Sequence, residues 1–95
     1  DLDTWLFWVD ILHFLGEYDT ATKTLLQAAE FFTEEYEIEY RLAGFYYLLK
    51  NEITANFHLN NALNLSYKNR FLLEELFPLV WKKKNVQNLI DKFKK

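Results

Sequence analysis

Cysteine and methionine are both absent from these 95 residues, glycine occurs twice and proline once. Without cysteine there are no disulfides, no thiolate zinc sites and no thiol nucleophile. So little glycine and proline leaves long stretches free of strong breakers, which favours helices over a fold of short strands and turns. Phosphate-cradling glycine loops have no material to be built from. Long apolar runs are missing too. The densest, Trp5 to Leu15, carries Asp10 and His13 and falls well short of the roughly 20 residues a membrane span needs, so no membrane insertion is expected. No basic-then-apolar signal peptide opens the chain. The lack of methionine and the start at Asp1 point to a fragment or processed product, from which a leader could have been removed. The compartment stays open, with the cytoplasm slightly favoured.

What is present describes one folded domain. Hydrophobic residues make up 51% and charged residues 26%, which places the chain outside the disordered regime. Aromatics reach 19%, enough to require either a core or a binding surface to hold them. The net charge of −3 is uneven. Lys82, Lys83, Lys84, Lys92, Lys94 and Lys95 crowd the last stretch, and Glu34, Glu35, Glu37 and Glu39 sit upstream. The lysines read as a solvated surface near a helix C-terminus, where the backbone dipole favours cations. With the rest of the chain acidic, no nucleic-acid partner is expected.

Internal repetition is the strongest signal. Gly16–Ala21 lies over Lys50–Ala55 at an offset of 34 residues, and at that offset Leu12 meets Tyr46, Leu25 meets Leu59 and Ala28 meets Ala62. Large residues recur over large and alanines over alanines. Amphipathic patterning alone would not hold the alanines in register. A further shift brings Val80, Leu89 and Phe93 under Tyr46, Ala55 and Leu59.

Each unit reads as two helices, giving six segments in all. Thr4–Leu15 places Trp5, Trp8, Val9 and Leu12 on one stripe, and Gly16 ends it. Asp19 is the expected N-cap of a second helix to about Phe32, with Ala21, Leu25, Ala28 and Ala29 inward. Thr33 is the expected cap of a third, with Glu34 and Glu35 in its first turn and Leu42, Ala43, Tyr46 and Leu49 along it. Asn51 caps a fourth to about Leu65, and Ser66 or Asn69 starts a fifth. Pro78 should stop or kink that helix, and Asn85 should cap a last one to about Lys94. An irregular helical bundle is the alternative, and the regular offset argues against it.

These residues resemble the tetratricopeptide repeat family, whose unit is a 34-residue helical hairpin with a W-x2-L-G-x2-Y…A-x3-F pattern. Trp5, Trp8, Val9, Leu12, Gly16, Tyr18, Ala21 and Leu25 fit it in the first unit. Leu42, Ala43, Tyr46, Ala55, Leu59 and Ala62 fit it in the second, where Glu39 replaces the leading aromatic and Lys50 the turn glycine. The third fits loosely, with Phe77 in a place the family gives to a small residue. The resemblance implies an all-α superhelical stack of antiparallel hairpins: one at about 3–33, one at about 34–67, and a divergent capping pair at about 69–95.

Catalytic and metal-binding constellations are scarce. Ser66 lies in a turn with no histidine nearby and reads as a cap. His13 and His58 sit on different helices without metal-ligand spacing. The glutamate cluster reads as a helix start and solvated surface rather than paired acid–base carboxylates. No enzyme activity, metal or cofactor is expected. The resemblance implies instead a concave face formed by the first helix of each hairpin, a surface that binds a peptide or protein segment. It would carry Leu6, Asp10, His13 and Phe14, then Tyr40, Gly44, Tyr47 and Leu48, with Trp81 at the margin. Gly44 inside a helix admits two readings, a ligand approaching the backbone or close helix packing. The lysine–asparagine clamp by which some family members grip a carboxylate is missing, since Leu6 and Asp10 stand in its places and Arg41 alone does not restore it. Another role is structural: closing a longer array, or pairing with another copy. Leu2, Phe7 and Ile11 lie where an earlier repeat would stack, so an upstream repeat or self-association is expected there.

Overall fold

The 34-residue offset reappears in backbone detail at two turns. A computed structural model describes residues 1–93. Helix α1 (Leu2–Phe14) ends at Gly16, in the left-handed conformation at φ 77°. The Gly16 N–H donates to the His13 carbonyl at 3.0 Å and the Glu17 N–H to that of Leu12 at 2.9 Å. Helix α3 (Tyr36–Leu48) ends at Lys50, at φ 65°. There the Lys50 N–H donates to Tyr47 at 3.1 Å and the Asn51 N–H to Tyr46 at 2.9 Å. Both are the paired 6→1 and 5→2 bonds that satisfy the last carbonyls of a helix. They reverse the chain into α2 (Tyr18–Ala29) and α4 (Glu52–Leu65), and loops this short leave the two members of each hairpin antiparallel.

Burial follows the same register. Ala21 and Ala55, Leu25 and Leu59, and Ala28 and Ala62 are all fully buried. The alanines let the backbones approach, and the leucines between them fill the space. Hairpin 1 rests on hairpin 2 chiefly through α2 and α3.

The caps depart from the sequence reading. Helix α1 starts at Leu2 because the Asp1 carboxylate accepts from the Thr4 N–H at 2.9 Å. Asn51 caps α4 as expected, accepting from the Thr54 N–H at 3.3 Å. Asp19 and Thr33 cap nothing: α2 and α3 begin after Glu17 and Glu35, neither of which makes a side-chain cap bond. Glu34 turns the chain at φ 57°, so Glu34 and Glu35 precede α3 rather than form its first turn.

After α4 the register breaks down. Ser66 opens a 3₁₀ turn (Tyr67–Asn69), followed by α5 (Phe71–Leu76), α6 (Pro78–Trp81) and α7 (Lys84–Lys92). The described residues therefore hold seven α-helices and no strand, against six expected segments. Pro78 accounts for the additional one. It stops α5 and then serves as the first residue of α6, where its missing N–H and fixed φ suit a helix start. In α7, Val86 and Ile90 are buried while Leu89 and Phe93 are only half-buried, so the closing helix does not repeat the α4 face. Lys94, the expected end of that helix, and Lys95 lie outside the described residues.

Candidate functional site

The expected groove lies along α1 and α3, and Phe77 fills its middle. This side chain, at the elbow between α5 and α6, is buried against Gly44: a Cβ on Gly44 would stand 2.4 Å from the ring. Close packing therefore explains Gly44, and the backbone there is closed to a ligand. His13 stacks on Phe77, with ring centroids 4.6 Å apart and planes 18° off parallel, and meets Phe45 edge-on at 5.0 Å. Burial lowers the His13 pKa, with Asp10 opposing the shift and Arg41 adding to it.

Most of the other groove candidates are also core residues. Leu6 is buried. Tyr40 is buried and its hydroxyl donates to the Ser66 carbonyl at 2.7 Å. The Tyr47 hydroxyl bonds to the Asn56 side chain, and burial, with Glu52 adding to it, pushes its pKa up to about 12. Both phenols were expected to be contact surface. Instead Tyr47 anchors α3 to the body of α4, and Tyr40 anchors it to the residue that ends α4. Leu48 and Trp81 are half-buried, Trp81 with its ring 5.5 Å from that of Phe71.

Charged groups on this face are engaged as well. Asp10 grips Arg41 with two bonds, Oδ1 to Nε at 3.0 Å and Oδ2 to Nη2 at 3.1 Å. Arg41 Nη1 donates to the Glu37 carboxylate at 2.8 Å and to its carbonyl at 3.0 Å. Every nitrogen of this buried guanidinium is thus occupied, and the pair ties α1 to α3. Glu39 is likewise no solvated carboxylate: its Oε1 lies 2.9 Å from His58 Nδ1 and accepts from Asn61 at 3.1 Å. Among the described residues, no three His, Asp or Glu side chains gather as metal ligands, and no helix is long and apolar enough to cross a membrane.

Of the expected groove, a cleft of about 290 Å³ remains, lined by Asp10, His13, Phe14, Glu75 and Leu76. The other exposed feature is the adjoining outer face of α1, which shares Phe14 with that cleft. Phe7 is 70% exposed, Trp8 52%, Phe14 90% and Leu15 62%, with Ile11 half-buried between them. At 100° per residue these five share an arc of about 120°. Two assignments change. Trp8, expected inward, lies on this outer face, and Leu2, expected outside, packs half-buried against the core.

The register explains this face. Thirty-four residues on, Phe7, Trp8 and Ile11 become Arg41, Leu42 and Phe45, which are 6%, 1% and 0% exposed. Hairpin 1 reaches two of them: Asp10 bonds Arg41, and His13 and Tyr18 pack on Phe45, where Phe77 joins them. The same face of α1 has no hairpin over it. At the far end α7 exposes Lys84, Asn85, Asn88, Asp91 and Lys92, a polar surface. No family model, curated protein or solved structure matches this chain.

Proposed function

We propose that the chain is a protein-interaction module of the helical-repeat kind, similar in plan to tetratricopeptide repeats, and that it works by stacking. The outer face of α1 receives a helical surface, and α7 closes the other end. One observation carries the reading: Phe7, Trp8 and Ile11 of the exposed stripe are the register equivalents of Arg41, Leu42 and Phe45, which are buried in α3. Interior repeats bury this side on a neighbour, and terminal ones present polar residues, as α7 does. The test is to fuse a second copy of residues 3–33 upstream in the 34-residue register. The fusion should shield Trp8 from aqueous quencher and raise the melting temperature by about 4–8 °C, the equivalent of roughly 1 kcal/mol in a domain of this size. An unchanged Tm with Trp8 still accessible would refute the reading.

A second reading keeps the inner side. The cleft of Asp10, His13, Phe14, Glu75 and Leu76 is a part of the expected groove open to a peptide. Glu75 also lines the neighbouring cleft with Tyr36, Glu37 and Phe71, and a peptide passing Glu75 would reach both. Substituting Glu75→Lys should alter peptide capture if this path is used and leave it unchanged if α1's outer face is the working surface.

A further inference from the structure

We infer that the outer face of α1 pairs with the same face of a second copy of this chain, the two α1 helices lying antiparallel about a two-fold axis near Ile11. This rests on the stacking function proposed for that face, and it names the occupant.

Area is the first argument. Phe7, Trp8, Phe14 and Leu15 each leave more than half of their surface open. At about 150–250 Å² for a whole aromatic side chain, the stripe offers roughly 600 Å² per copy. Two copies then bury about 1,200 Å², the lower bound of stable, specific protein interfaces. A single patch of that size stands at the upper limit of what monomers leave exposed.

Symmetry is the second. Head-to-tail stacking would set this apolar stripe against the polar α7 end, where the exposed Lys84, Asn88 and Asp91 would be taken out of water against apolar surface. Face-to-face pairing matches apolar surface with apolar surface and closes after two copies. The helix dipoles then favour one direction, since antiparallel helices set each N-terminal end beside the partner's C-terminal end. The stripe itself carries no ionised group, while Asp1 and Asp3 stand at its N-terminal end and Glu17 just past its C-terminal end. Parallel helices would bring both acidic pairs together. Antiparallel ones crossing at Ile11 hold the two Asp1–Asp3 pairs roughly 24–30 Å apart, twice the rise from Ile11 to those residues and beyond the Debye length of about 8–10 Å. The residue nearest the middle of the stripe, Ile11, then faces its own copy.

The absence of cysteine makes the geometry directly measurable, because any introduced thiol is the only one. Sedimentation of the full 95-residue chain should show a species of twice the chain mass at tens of micromolar, an order of magnitude typical of an interface at the small end of the range. Phe7→Glu with Phe14→Glu should return it to the monomer with unchanged helical circular dichroism. Leu79→Glu, at an exposed apolar residue outside the stripe, should leave the dimer intact. Under mild oxidation Ile11→Cys should cross-link to itself, and Asp3→Cys should not. A chain that stays monomeric up to about 1 mM, a weaker affinity than stable interfaces show, overturns the proposal. So does an open-ended series of oligomers, or self-linking at Asp3→Cys. If the chain is monomeric and the in-register fusion is nevertheless stabilised, the face is a stacking surface whose occupant is another hairpin. If the fusion also gains nothing, the stacking reading fails with it.

Discussion

Lys50 holds a backbone conformation that its own side chain disfavours. At φ 65° it repeats the turn that Gly16 makes at φ 77°, and an L-residue pays about 1–2 kcal/mol for that geometry. Lys50→Gly should therefore stabilise the fold by about 0.5–1 kcal/mol, after allowing for the extra freedom glycine has when unfolded, as denaturant midpoints would show. Gly44 is the opposite case. Its φ is ordinary, and what it supplies is room for Phe77. Gly44→Ala should cost about 1–3 kcal/mol because the ring would have to shift and give up its packing on His13 and Phe45. Phe77→Leu should recover part of that loss, a coupling that a double-mutant cycle would detect. His13 adds a dependence on pH. Its pKa in the folded protein is lowered, chiefly by burial, with Asp10 and Arg41 acting in opposite senses, so the unfolded chain binds more protons just below the usual value of 6.5. Stability is full above about 6.5 and declines as the pH falls below it toward the folded-state value. His13→Gln should flatten that part of the profile in urea midpoints taken between about pH 7.5 and 5.5.

Among the elements, the hairpins were legible in the sequence because their signals were local. The alanine register and the reversals at Gly16 and Lys50 depend on residues within one turn of each other. Asn51 capped α4 for the same reason, and Asn51→Ala should cost about 1 kcal/mol in thermal or chemical melts. Asp19→Ala at an expected cap that makes no cap bond should leave stability within about 0.5 kcal/mol. Thr33 and Asp19 misled because α2 and α3 take their starting points from the path of the loop, set by the left-handed Glu34 and by packing against neighbours, rather than from the best capping side chain nearby. The Pro78 break was legible. Its consequence was not: the elbow swings Phe77 into α1 and α3, a contact between residues more than thirty apart that no local pattern encodes.

For the molecule as a whole, the candidate site was harder to read than the fold. Helix α1 is apolar around nearly its whole circumference, so periodicity could not separate the side facing α2 from the side facing outward, and Trp8 and Leu2 exchanged places. The aromatics of α3 had the composition of a contact surface, but buried tyrosines with hydrogen-bonded hydroxyls have that composition too. If α1's outer face is covered by a second copy, the melting temperature should climb with protein concentration, and Phe7→Glu with Phe14→Glu should abolish the dependence. The closing pair also has a consequence in time. Phe77 lies a dozen residues beyond the end of α4. At about 5–20 residues per second of synthesis, those residues take on the order of a second, whereas a helix forms in about a microsecond. Both hairpins are therefore in place while the slot above Gly44 is still empty. For that interval His13 and Phe45 stand uncovered at the slot, which closes only when the protein's own phenylalanine arrives.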